Sequence, residues 1–125
     1  MNDVKKAVIV EDNPQMRSLI CTALNSLGIK DVTTAENGLK ALEALEQTAA
    51  DIAIVDWQMD VMDGMEFIRR VRAGYGSVNP KTPILMLTGV VGEEGERQAY
   101  DLGVNLFMNK PFSMKSLFQG IQKLI

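Results

Sequence analysis

The 125-residue chain contains no histidine at all. That absence excludes a Ser-His-Asp triad, a histidine general base, an HExxH zinc site and any phosphohistidine formed on this chain. Its single cysteine, Cys21, rules out an internal disulfide and gives no sign of an oxidising compartment. Long apolar runs are also missing, and no stretch approaches the roughly 18–20 residues that a membrane span requires. The opening MNDVKKAVIVED does not read as a signal peptide, because its apolar run is short and ends in acids. A cytoplasmic location is therefore the expectation. An excess of basic charge is missing: the net charge is −3 and the sequence pI about 4.9, which argues against non-specific nucleic-acid binding. Any chemistry must rest on carboxylates, hydroxyls, Lys/Arg or a bound ion.

What is present is ordinary globular composition, 46% hydrophobic and 23% charged with a mean hydropathy of +0.02. Short apolar runs at Ala7–Val10, Val32–Ala35, Ile52–Val55, Ile84–Leu87 and Val104–Met108 predict strands, several of them covered on both faces. Helical periodicity fills the intervals. Met16, Leu19, Ile20, Ala23, Leu24 and Leu27 share one helix face, started by Asn13–Pro14 and stopped by Gly28. Leu39, Leu42 and Leu45 mark a second helix, and Phe67, Ile68 and Val71 a third. The last, through Met114, Leu117, Phe118, Ile121 and Leu124, has Ser113 as its N-cap. Glu93–Leu102 is a weaker helical stretch interrupted by Gly95, and Ala73–Thr82 reads as a surface loop. Alternating strands and helices without a linker predict a single α/β domain over residues 1–125, with a parallel sheet and helices on both faces.

In such sheets ligands bind beyond the carboxyl ends of the strands. Those ends carry Glu11 and Asp12, Asp56, Thr88 and Lys110. Each alone reads as a cap, a turn residue or a solvated lysine; together they place three carboxylates, a hydroxyl and an ammonium on one edge. Two carboxylates about 4 Å apart repel by roughly 4 kcal/mol at an effective dielectric near 20, so the cluster calls for a cation. Oxygen donors without His or Cys favour Mg²⁺ before Ca²⁺ or a transition metal. An aspartate beside Mg²⁺ and a lysine is a plausible nucleophile toward phosphorus. The eight methionines read as core filler, and Cys21 shows no activating neighbour.

The segments AVIVEDN, DIAIVDWQMDVMDG, PILMLTG and FMNKPF, in this order and spacing, make the chain similar to response-regulator receiver domains over essentially its whole length. The resemblance implies a doubly wound, flavodoxin-like, five-stranded parallel sheet of order 2-1-3-4-5. It implies Asp56 as phospho-acceptor, Asp12 as a direct Mg²⁺ ligand, Glu11 as an acid reaching the metal through water, and the backbone carbonyl of Gln58 as a further ligand. Thr88 would be the switch hydroxyl, Lys110 the phosphoryl-binding lysine, and Phe107 the switch aromatic that turns inward as Thr88 shifts. The implied partners are a histidine kinase or histidine phosphotransfer protein and a downstream protein target, with a monomer or a phosphorylation-dependent dimer as the active form. No conventional enzyme activity is expected beyond self-phosphorylation and slow self-dephosphorylation.

Departures from the family pattern are Asp60 where proline is common, Phe107 rather than tyrosine, Gly89 rather than alanine after Thr88, and Val90, which cannot orient a water. Other classes fit less well. The first strand–helix turn reads EDNPQM, acidic and free of glycine, against a nucleotide site or a flavodoxin-type carrier. A DxD signature of aspartate-nucleophile phosphatases is absent. A receiver-like binding module that works without phosphorylation is the remaining alternative.

Overall fold

A computed structural model describes residues 5–57, 61–89 and 92–125. Five strands, β1 (Lys6–Val10), β2 (Asp31–Ala35), β3 (Ile52–Asp56), β4 (Ile84–Thr88) and β5 (Leu106–Asn109), alternate with five helices. The helices are α1 (Pro14–Ser26), α2 (Gly38–Gln47), α3 (Gly64–Arg72), α4 (Gly92–Asp101) and α5 (Met114–Leu124). The strands form one parallel sheet of order β2-β1-β3-β4-β5. This is the doubly wound arrangement that the sequence implies.

Period-two alternation in the strands sorts the core into two layers. Val8, Val10, Ala53, Val55, Ile84, Met86 and Phe107 face α2, α3 and α4, meeting Leu42, Leu45, Phe67, Ile68 and Ala99. Ala7, Ile9, Ile52, Ile54, Leu85 and Leu87 face α1 and α5, meeting Ile20, Leu24, Leu117 and Ile121. Because β3 and β4 are central and buried at every position, their sequences are continuously apolar up to the terminal Asp56 and Thr88. Met62 and Met86 are buried, and Met16, Met65, Met108 and Met114 pack against the two layers.

Local signals set the helix ends. The Asn13, Asn37, Asp63 and Ser113 side chains cap the starts of α1, α2, α3 and α5 by accepting a backbone N–H three residues on. After α1, Gly28 takes a positive φ of 89° while its N–H and that of Ile29 donate to Asn25 and Leu24. Gly103, Val104 and Ala99 repeat that pattern after α4.

Three expectations need correction. Leu19 and Leu39 are 41% exposed rather than buried. Each stands one residue, about 100° of helix rotation, from the true buried stripe, which runs through Ile20, Ala23 and Leu24 in α1 and Gly38, Ala41, Leu42 and Leu45 in α2. The last strand begins at Leu106 and not at Val104, because the Val104 N–H is used to close α4 on the Ala99 carbonyl. The Ala73–Thr82 segment is also more than a loose loop: Val78 and Thr82 are buried within it. No helix among the described residues is long and apolar enough to cross a membrane.

Candidate functional site

Register carries the chemistry to one end of the sheet. Val10 pairs with Val55, Asp56 with Leu87 and Thr88 with Asn109, so the residues that follow or end β1, β3, β4 and β5 emerge side by side. Carboxylate oxygens of Glu11, Asp12 and Asp56 all lie within 4.8 Å of one another. Lys110 Nζ stands 3.3 Å from Glu11 Oε1 and 3.5 Å from Asp56 Oδ1. The Lys110 backbone N–H donates to the Thr88 carbonyl at 2.6 Å, which anchors the lysine against the end of β4.

Burial sharpens the electrostatics. Glu11 and Asp56 are 1% and 6% exposed, whereas Asp12 is exposed. Desolvation, and then the neighbouring Asp56, push the Glu11 carboxyl up from an ordinary 4.5 to about 7, against the lowering pull of the Asn13 N–H and Lys110. Once Glu11 holds its proton, hydrogen bonding with Asp56 adds to the rise. One ammonium therefore does not compensate the acids, and a proton or a cation must. A hard divalent ion fits this donor set of carboxylates alone.

Thr88 is 0% exposed, and its hydroxyl oxygen finds no hydrogen-bond partner among the described residues. A buried hydroxyl left so costs about 1–3 kcal/mol, a standing incentive to accept or donate to an incoming polar group. Phe107 is inside, 7% exposed, edge-on to Trp57 with ring centroids 6.5 Å apart. The expectation from the resemblance is a ring that moves inward on switching, and the inner side is the position it occupies here. Gln58, Asp60 and Val90 lie outside the described residues.

Four further residues hold the site or the sheet behind it without having been singled out in the sequence. Arg17 Nη1 donates to the Glu11 and Asp12 carbonyls at 2.9 and 3.3 Å, fixing the acidic turn from the first turns of α1. Its signal is its spacing, four residues past the Asn13 cap. Gly64, within the MDG run, packs so closely under the end of β3 that an added Cβ would stand 2.6 Å from the Asp56 carbonyl oxygen. Arg72 and Tyr100 act over longer distances and have no motif. Arg72 donates to the carbonyls of Pro80, Thr82 and Gly103 and to Asn105 Oδ1, tying α3 to the entrances of β4 and β5. Tyr100 contacts Phe107 through both ring and hydroxyl.

Comparison with known proteins agrees with this geometry. A family profile described as response regulator receiver domain matches residues 7–122. The chain is 33% identical over 121 residues to the chemotaxis protein CheY1 of Helicobacter pylori, covering 96% of each sequence. The structure of the chemotaxis response regulator CheY4 of Vibrio cholerae superposes with a TM-score of 0.87 at 30% identity, covering 98% of this chain and 100% of that one. The receiver domain of the sensor histidine kinase PA1611 from Pseudomonas aeruginosa, solved with magnesium coordinated in its active-site cleft, superposes at 0.84 with 28% identity and 98% coverage of both chains. With its sheet order, its strand-end acids and lysine, and this match across nearly its full length, the chain belongs to the response regulator receiver domain family of two-component signal transduction.

Proposed function

We propose that the chain is a Mg²⁺-dependent phospho-acceptor in which Asp56 takes a phosphoryl group from a phosphohistidine of a partner kinase or phosphotransfer protein. The observation that carries this reading is the meeting of Asp56, Glu11, Asp12 and Lys110 at one sheet edge, with Lys110 Nζ 3.5 Å from Asp56 Oδ1. Asp12 and Asp56 would ligate the ion directly, Glu11 would reach it through water, and the Gln58 carbonyl would complete the protein's share. Mg²⁺ bound there neutralises charge on the acids and on the transferring group.

The chain's own residues then do the following. Asp56 must be ionised to attack: its oxygen forms the new O–P bond while the P–N bond to the donor histidine breaks, the electron pair staying on the imidazole nitrogen. Lys110, held within reach of both Glu11 and Asp56, offers its ammonium to a phosphoryl oxygen. The buried Thr88 hydroxyl supplies a hydrogen-bond donor for another, and its displacement is coupled to Phe107 on the same sheet face. The added charge biases a surface formed by α4, β5 and α5 toward a protein partner. Gln58 and Val90 would set the lifetime of the phosphoryl group, and slow self-dephosphorylation follows from a side chain at 90 that cannot orient water.

Trp57 adjoins the acceptor and is the sole tryptophan. Its fluorescence should respond to Mg²⁺ and then to beryllofluoride or acetyl phosphate. Asp56→Asn should abolish the second response. A full second response in that variant would overturn the assignment and favour a module that binds partners without phosphorylation.

A further inference from the structure

Thr88 and Phe107 share one face of the sheet. Met86 is the register partner of Phe107 and Thr88 of Asn109, and alternate residues of a strand lie on the same side. The Phe107 ring is held there from two directions: edge-on by Trp57 at 6.5 Å, and by the tilted ring of Tyr100 at 6.4 Å. Tyr100 also acts on the backbone. Strand β5 lies at the edge of the sheet, and the outward N–H of Phe107 has no neighbouring strand to receive it. It donates instead to the Tyr100 phenolic oxygen at 3.1 Å. One α4 side chain thus fixes both the ring and the main chain of Phe107, while remaining 41% exposed on the outer surface.

We infer that Tyr100 is a positioning residue of the switch, holding Phe107 inward and so favouring the switched arrangement. The inference rests on Asp56 being the acceptor. Tyr100 touches none of the reacting atoms; it acts through Phe107, and Phe107 through the space beside Thr88. With the inward place favoured by Tyr100, an acceptor-site ligand spends less of its binding energy on moving the ring, and its apparent affinity is higher. Removing the phenolic oxygen uncaps the Phe107 N–H while leaving the aromatic packing intact.

The test compares the wild-type chain with Tyr100→Phe and Tyr100→Ala, following Trp57 fluorescence through a Mg²⁺ titration and then a beryllofluoride titration at saturating Mg²⁺. Thermal melts establish that each variant is folded. Tyr100→Phe should raise the beryllofluoride midpoint about two- to tenfold, the effect of one lost hydrogen bond. Tyr100→Ala should raise it further, and the Mg²⁺ midpoint should stay unchanged in both. Wild-type and Tyr100→Phe curves that superimpose would overturn the positioning role alone. Equal shifts in the Mg²⁺ and beryllofluoride midpoints would also overturn it, since they mark general loosening of the site. A wild-type chain that responds to Mg²⁺ but not to beryllofluoride would overturn the acceptor reading and the role of Tyr100 with it.

Discussion

Glu11 is the residue whose environment departs furthest from its sequence neighbourhood. An acid after a strand is ordinarily solvated, yet this one is 1% exposed, with its carboxyl raised from 4.5 to about 7 chiefly by desolvation. Between about pH 4.5 and 7 the metal-free folded protein holds a proton that the unfolded chain has released, so this group's contribution is fully present below pH 4.5 and is lost as pH rises through 7. Melts in EDTA should show that decline, and Glu11→Gln should remove its share. Mg²⁺ competes with the same proton, so its apparent affinity should increase from pH 5.5 to 7 and then level off. An identical slope in Glu11→Gln would place the proton elsewhere. Val61 is a second residue-scale case. It is β-branched, 78% exposed and held at a φ of 70°, a left-handed conformation that such residues rarely adopt. Val61→Asn, which tolerates that conformation, should stabilise the fold by about 1 kcal/mol in urea unfolding.

At the scale of elements, two close connections tie the two ends of α3 to the sheet. The N-terminus of α3 lies directly under the end of β3, with the Gly64 N–H donating to the Trp57 carbonyl at 2.8 Å and no room for a side chain. Gly64→Ala would drive α3 away from the Asp56 and Trp57 backbone. It should cost about 2 kcal/mol or more, with weakened Mg²⁺ binding by Trp57 titration. At the other end of α3, Arg72 holds the entrances of β4 and β5 together. Its half-buried guanidinium meets four acceptor groups in a planar fork that an ammonium cannot copy. Arg72→Ala should cost about 2–3 kcal/mol, and Arg72→Lys should recover little of it, both read from urea midpoints at constant slope.

For the whole molecule, the decisive quantity is the balance of charge at one edge of an otherwise apolar sheet. Three carboxylates and one lysine leave that edge short of positive charge, so a divalent ion bound there would stabilise the fold as a whole. At a hundred times its dissociation constant, Mg²⁺ should add about 2.7 kcal/mol, seen as a rise of several degrees in Tm that EDTA reverses. A melting temperature indifferent to Mg²⁺ would remove the proposed ion site.

The sequence by itself determined the order of strands and helices, the caps of the first and last helices, and which strand ends carry Glu11, Asp12, Asp56, Thr88 and Lys110. These are local properties: periodicity, turn chemistry and strand ends are written within a few neighbouring residues. Only the tertiary structure decided how the parts meet. Glu11 and Lys110 are 99 positions apart, and their 3.3 Å approach depends on parallel register across the sheet. The Arg72 clamp spans 31 positions to Gly103. The exposure of Leu19 and Leu39 and the late start of β5 depend on which helix stripe meets the sheet and on how α4 closes. Glu11 makes the distinction clearest: its presence after the first strand is sequence, but its unusual proton affinity comes from burial beside Asp56, which no local pattern encodes.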